Sequence, residues 1–225
     1  MLKSGAARTR VKICGITRVE DGLAAAHAGA DAIGLNFWPG TPRCVALDRA
    51  RAIAAALPAF VTVVGVFVDP TPDAVRAALA EVPLDLLQFH GDEPPTLCAS
   101  FGRPYIKAVA VRPEVDLLQY AARFGDAHGL LFDAHQPGGL PGGTGTTFDW
   151  TQIPPQLTDP MSRRLILSGG LTERNVAAAV RQLRPWAVDV SSGVEETAAD
   201  GKPRKGIKDA AKIATFIREV RNADG

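Results

Sequence analysis

Apolar residues along this chain come in short, β-branched runs, and alanine-rich stretches with helical periodicity lie between them. The runs fall at residues 11–14, 32–37, 61–68, 84–90, 105–111, 129–133, 164–167 and 187–190. The third is almost unbroken Val and Phe, as expected of a strand covered on both faces. Thr17 and Glu20 have the spacing of a capping box, which predicts a first helix running to about Ala28. Asp48 is placed to cap the second helix, which stops at Pro58, and Pro72 suits the first turn of the third. Further helices are expected at about 114–124, 172–183 and 208–221. Eight such units predict an α/β chain forming one (β/α)8 TIM barrel, a single domain over residues 11–221. Residues 1–10 read as a flexible segment and 222–225 as a frayed tail. A doubly wound open sheet is the rival, but it normally has fewer strands. It also places a G-x-G-x-x-G turn after the first strand, where this chain has Cys14-Gly-Ile-Thr17.

Composition narrows the function classes. With 225 residues and 46% hydrophobic content, the chain can bury one substantial core. A net charge of +1 argues against a broad nucleic-acid surface, which needs clustered excess base, but not against a local anion site. The three cysteines are too few and too irregularly spaced for a disulfide framework or a zinc motif, which suggests a reducing compartment. The amino-terminal stretch lacks the apolar run of a signal peptide, and no segment reaches the ~20 apolar residues of a membrane span. The expectation is a cytoplasmic protein with no nucleic-acid or membrane partner. With no exposed apolar helix face evident, it is expected to be a monomer.

Active sites of such barrels lie where the carboxyl ends of the strands gather. At those ends stand Cys14, Asn36, Gln88, His90, Lys107, Asp133, Asp189 and Ser191. Any one of them could belong to a buried structural network; together they point to a ligand. Cys14 reads either as a small buried hydrophobe or as one partner of an acid–base pair. Its position beside Gly15, nearly opposite Asp133, suits the second reading. Lys12 lies on the same strand face, one layer deeper, where it could lower the thiol pKa. Ser168-Gly-Gly170 and Ser191-Ser-Gly193 follow the last two strands, the usual phosphate station of this fold, and offer backbone amides to an oxyanion. A glycine-rich segment at 138–145 is either a cover over a ligand or a plain surface loop. Arg43 carries a forked donor suited to a carboxylate, or is simply solvated. Cys44 and Cys98 are read as structural. The four histidines (His27, His90, His128, His135) show no ligand spacing, so neither metal nor cofactor is expected.

Several segments together resemble the phosphoribosylanthranilate isomerase family of tryptophan biosynthesis. They are Val11-Lys-Ile-Cys-Gly-Ile-Thr17, Ala30-Asp-Ala-Ile-Gly-Leu-Asn-Phe37, Pro42-Arg43, Leu87-Gln-Phe-His-Gly91, Asp133, Gly142-Gly-Thr-Gly145 with Phe148-Asp-Trp150, Leu167-Ser-Gly-Gly-Leu171 with Asn175-Val176, and Asp189-Val-Ser-Ser-Gly-Val-Glu195 with Gly206-Ile-Lys-Asp209. The resemblance implies an Amadori rearrangement of N-(5-phosphoribosyl)anthranilate to the aminoketose. It implies Asp133 as general acid, Cys14 as base and Arg43 as partner of the anthranilate carboxylate. The amides of Gly169, Gly170, Ser192 and Gly193 would hold the phosphate, and Gln88, His90, Asp189, Gly143 and Gly145 would line the pocket. The arginine loop has Thr41 where the family more often has serine. The polar stretch at 197–205 reads as an extended surface loop. Some relatives are fused to indole-glycerol-phosphate synthase, and a chain of this length is expected to be the stand-alone form. The enzymatic alternative is a metal-dependent pentose-phosphate epimerase, which needs paired His and Asp ligands. The non-enzymatic alternative is a barrel kept as a binding module.

Overall fold

The computed structural model describes residues 8–134, 147–158 and 165–224. Eight parallel strands close into a barrel in chain order: β1 (Arg10–Cys14), β2 (Ala32–Asn36), β3 (Thr62–Phe67), β4 (Leu86–Phe89), β5 (Tyr105–Val111), β6 (Gly129–Ala134), β7 (Leu165–Leu167) and β8 (Ala187–Val190), with β8 pairing back onto β1. The helices among the described residues are α1 (Val19–Ala28), α2 (Leu47–Ala56), α3 (Pro72–Glu81), the single turn α4 (Pro95–Cys98), α5 (Leu117–Arg123), α6 (Val176–Leu183) and α7 (Ala210–Asp224). None is long and apolar enough to cross a membrane.

Strand alternation sorts the side chains into two cores. Outward residues such as Ile13, Leu35, Phe89, Phe132 and Val188 pack beneath the helices against Ala25, Ile53, Val75, Val176 and Phe216. Inward residues Leu86, Ile106, Ala108, Leu131, Ile166 and Ala187 form a small apolar plug. The mouth end of the barrel interior is therefore left to polar side chains, and this positions the site.

Local chemistry differs from the sequence expectation where long-range partners intervene. Arg18, not Thr17, is the N-cap of α1, because the Thr17 hydroxyl donates to the Gly206 carbonyl instead. Helix α2 begins at Leu47, so Asp48 sits in its first turn, where it complements the helix dipole instead of capping. Pro72 does open α3, and the Thr71 hydroxyl accepts from the Ala74 amide. Helix α5 starts late, capped by Asp116. The stretch expected to be an extended surface loop contains an antiparallel hairpin, β9 (Glu195–Thr197) and β10 (Pro203–Lys208).

The expected frayed tail is also corrected: α7 continues through Asn222 and Ala223 to Asp224. The Asp224 carboxylate accepts from the Thr9 amide at 2.8 Å and the Thr9 hydroxyl at 2.7 Å, pinning the last helix to the entry of β1. Thr9 is buried, so losing this acceptor strands its amide and leaves its hydroxyl only the Pro185 carbonyl at 3.4 Å. Asp224→Ala is expected to lower the unfolding free energy by about 1–2 kcal/mol in urea titrations, with catalytic constants unchanged.

Candidate active site

The polar end of the barrel forms an open cavity with about 590 Å³ of empty space, the solvent at its mouth included. Cys14, Arg43, Gln88, His90, Asp133, Gly169, Gly170, Asp189 and Ser192 line it, as do Asn36 and Ser191. Gly193 is not part of this lining. Its backbone backs onto the loop after β7, where a Cβ would lie 2.0 Å from the Leu171 carbonyl oxygen. Gly143 and Gly145 lie outside the described residues. Lys107 is corrected: it shares the outward parity of Tyr105 and Val109 on β5. It is buried against Glu93 (Nζ–Oε2 2.8 Å), away from the cavity.

Asp133 ends β6. Its Oδ1 accepts from the Ala134 amide at 2.8 Å, and its Oδ2 lies 3.2 Å from His90 Nε2. His90 Nδ1 in turn lies 3.0 Å from Gln88 Nε2, so Gln88, His90 and Asp133 form one line of contacts across β4 and β6. Gln88 Oε1 is buried, and among the described residues no group hydrogen-bonds to it. Gly169, at φ 88°, passes close to this corner. A Cβ there would stand 2.5 Å from the Ala134 amide nitrogen and 3.0 Å from Asp133 Oδ1, so only glycine lets the β7 loop approach the carboxylate.

Cys14 ends β1 on the other side of the mouth. Two residues below it on the same face, Lys12 makes a buried ion pair with Asp189 of β8 (Nζ–Oδ1 2.7 Å), and Asp189 Oδ2 accepts from the Ser168 hydroxyl at 3.3 Å. Burial pushes the Cys14 thiol pKa up, against the opposing pull of Lys12 and, more weakly, Lys208; the Asp189 charge adds to the upward push. For Lys12, burial acts downward, but Asp189 and Cys14 outweigh it and raise the ammonium to about 12.

Arg43 reaches the cavity from the loop after β2, its stem crossing Gly15. A Cβ at Gly15 (φ 72°) would lie 2.7 Å from Arg43 Cδ. The guanidinium is gripped by Glu195 of the hairpin through Nε–Oε1 (2.7 Å) and Nη2–Oε2 (2.9 Å). Glu195 also accepts from the Gly206 amide at 2.8 Å and from Lys208 Nζ at 3.4 Å, and Lys208 Nζ donates to the Ser191 carbonyl at 2.9 Å. Burial alone would raise the Glu195 pKa, but the Arg43 hydrogen bond and the Lys208 charge hold it below the usual range. Glu195 and Lys208 had no functional role in the sequence reading. Their partners lie far away in the chain, so no local spacing marks them; a Glu directly after the apolar Val194 was the only hint. Among the described residues, no group of three or more His, Cys, Asp or Glu side chains is arranged to hold a metal ion.

A family model described as N-(5′-phosphoribosyl)anthranilate isomerase matches residues 11–219. An N-(5′-phosphoribosyl)anthranilate isomerase from Thiobacillus denitrificans is 58% identical over 212 residues, covering 94% of this chain and 98% of the relative. The crystal structure of phosphoribosyl anthranilate isomerase from Thermotoga maritima superposes with a TM-score of 0.83 at 39% identity, covering 95% of this chain and 99% of that one. A phosphoribosyl anthranilate isomerase in complex with reduced 1-(o-carboxyphenylamino)-1-deoxyribulose 5-phosphate superposes at 0.80 with 38% identity, over the same shares of the two chains.

The Arg43–Glu195–Lys208 group gives a prediction that does not depend on turnover. Because the folded-state pKa of Glu195 is depressed, its stabilisation is complete above the ordinary glutamate pKa and is lost as pH falls through the lowered folded value. Glu195→Gln removes the carboxylate that Arg43 and Lys208 share and is expected to cost about 3 kcal/mol at neutral pH. In urea unfolding over a descending acid series, the gap to the parent protein should narrow as Glu195 takes up its proton. A gap that stays constant in acid would mean that the Glu195 charge is not what holds the group together.

Proposed function

Since the chain belongs to the N-(5′-phosphoribosyl)anthranilate isomerase family, we propose that Cys14 and Asp133 carry the proton transfers of its reaction and that Arg43 fixes its substrate. The reaction is the Amadori rearrangement of N-(5-phosphoribosyl)anthranilate to 1-(2-carboxyphenylamino)-1-deoxy-D-ribulose 5-phosphate, a step of tryptophan biosynthesis. The observation that carries the residue roles is that a carboxyl, a thiol and a forked cation, from three different parts of the chain, line one cavity.

Asp133 gives its proton to the furanose ring oxygen as the bond from that oxygen to C1 breaks, leaving an iminium between C1 and the anthranilate nitrogen. A proton on C2, beside an iminium, is far more acidic than one on an intact sugar. The Cys14 thiolate removes it to give an enolamine. Tautomerisation to the ketone adds a proton at C1 and releases one from the C2 hydroxyl, so Cys14 and Asp133 can both return to their starting states. Isomerisation is therefore balanced in protons and needs no outside oxidant or reductant.

Binding follows from the charges in the wall. Glu195 locks the Arg43 fork at the cavity wall, where the guanidinium meets the anthranilate carboxylate. The turns after β7 and β8, with Gly169, Gly170 and Ser192 on the cavity wall, supply amides for the phosphate. Gln88 Oε1, buried without a donor among the described residues, is an acceptor matched to a substrate hydroxyl. A cytoplasmic setting suits a chain whose three cysteines are all free thiols.

Cys14→Ala and Asp133→Asn are each expected to lower kcat by about 10²- to 10⁴-fold, with native circular dichroism and retained binding of a reduced product analogue. Full turnover in either variant removes that residue from its role. Arg43→Ala is expected to raise KM and the inhibition constant of the carboxylated analogue by about 10- to 100-fold, with a smaller effect on kcat. Unchanged constants with carboxylated ligands would take the carboxylate away from Arg43.

A further inference from the structure

Lys12 does not line the cavity, and neither substrate binding nor proton transfer as described above uses it. It is nevertheless a buried cation directly beneath the reacting thiol. We infer that Lys12 is a positioning residue whose ammonium, anchored by Asp189, holds Cys14 toward the thiolate form in which the base must act. The inference rests on Cys14 being the base.

The geometry comes from barrel closure. Lys12 and Asp189 are register partners across β1 and β8, and Cys14 is the register partner of Gly34 in β2. A Cβ on Gly34 would stand 2.8 Å from Cys14 Sγ and 3.2 Å from Lys12 Nζ. Sulfur and ammonium thus converge over the one bare position of that strand, no more than about 6 Å apart, the range in which an opposite charge moves a titration. Any side chain at Gly34 would occupy the space into which both point.

The other charged groups around the thiol do not supply the same effect. Lys208 approaches from β10 but is committed to Glu195 and Ser191, and its pull on Cys14 is weaker. Arg43 crosses Gly15 with its fork turned to Glu195. Asp189 opposes thiolate formation, while Asp133 and His90 face each other from β6 and β4. Burial works against an anionic sulfur, and Lys12 is the largest influence opposing it. Asp189 has a second effect: without it, a buried ammonium would tend to shed its proton, whereas beside it Lys12 stays charged up to about pH 12.

A purely structural strap between β1 and β8 would leave the titration of Cys14 untouched, and the test turns on that difference. Cys14 is alkylated with iodoacetamide across a pH series, and its peptide is quantified by mass spectrometry. Lys12→Gln, which keeps an amide donor for Asp189, is expected to raise the alkylation midpoint by about one pH unit or more. The acidic limb of kcat/KM should move the same way, with KM changed less than about twofold because Lys12 lies outside the cavity lining. If Lys12→Gln does not fold, Lys12→Met combined with Asp189→Asn removes both charges and is expected to shift the midpoint upward by a smaller amount. An unchanged or lowered midpoint in a folded variant overturns the inference. Alkylation needs no turnover, so this result stays separate from the base assignment, which fails only if Cys14→Ala remains fully active.

Discussion

The Lys12–Asp189 ion pair spans the seam where the last strand of the barrel meets the first. Both side chains are almost wholly buried, so the pair is no simple source of stability. Removing two charges from water costs several kcal/mol per ion before their attraction repays it, and an apolar pair of the same volume often does as well. The pair acts instead as a constraint. A lone charge left in that position would cost about 3–5 kcal/mol, so any arrangement that separates β1 from β8 at this level is strongly disfavoured. Register at the seam then fixes Cys14 two residues above Lys12 and Ser168 beside Asp189, and through them the floor of the cavity.

A second buried group plays the corresponding part above the same seam. Arg43 comes from a loop, where a long side chain would ordinarily sample many rotamers. Glu195 grips it at two points, and Lys208 and the Gly206 amide grip Glu195, so the fork belongs in effect to the β9–β10 hairpin. The same hairpin is tied to the start of α1, where the Lys208 amide donates to Asp21 and Thr17 donates to Gly206. Helix α1 follows directly from Cys14 and Gly15. The wall that carries Arg43 and the strand end carrying the thiol are therefore parts of one braced unit.

What the sequence made legible follows from the range of each interaction. Strands covered on both faces must be apolar almost throughout, so the eight runs were visible, and the polar residues ending them were conspicuous as breaks in that pattern. Alternation correctly put Lys12 on the face of Cys14. Applied with equal care to β5 it would have turned Lys107 outward, since Ile106 and Ala108 fill the barrel interior on either side of it. Thr17 and Asp48 were misread because a capping motif records only local opportunity. The Thr17 hydroxyl had a better partner in Gly206, 189 residues away, and α2 simply begins two residues earlier, after Ala46. Glu195 was invisible as the holder of Arg43 for the same reason: 152 residues separate the two, and nothing in either neighbourhood reports the other.

The chemistry asks for an unusual distribution of protons. A thiolate base paired with a neutral carboxylic acid carries the same total charge as a thiol paired with a carboxylate; the two arrangements differ only in which group holds one proton. No change in the overall charge of the cavity can choose between them, because both have the same sum. Only an asymmetry between the two sides of the mouth can. On the sulfur's side the structure supplies one: an ammonium held in place beneath Cys14, anchored by Asp189 across the seam. Asp189 could have served as a strap with many partners. Paired with a lysine beneath a cysteine, it ties barrel closure to the cation proposed to draw Cys14 toward its thiolate.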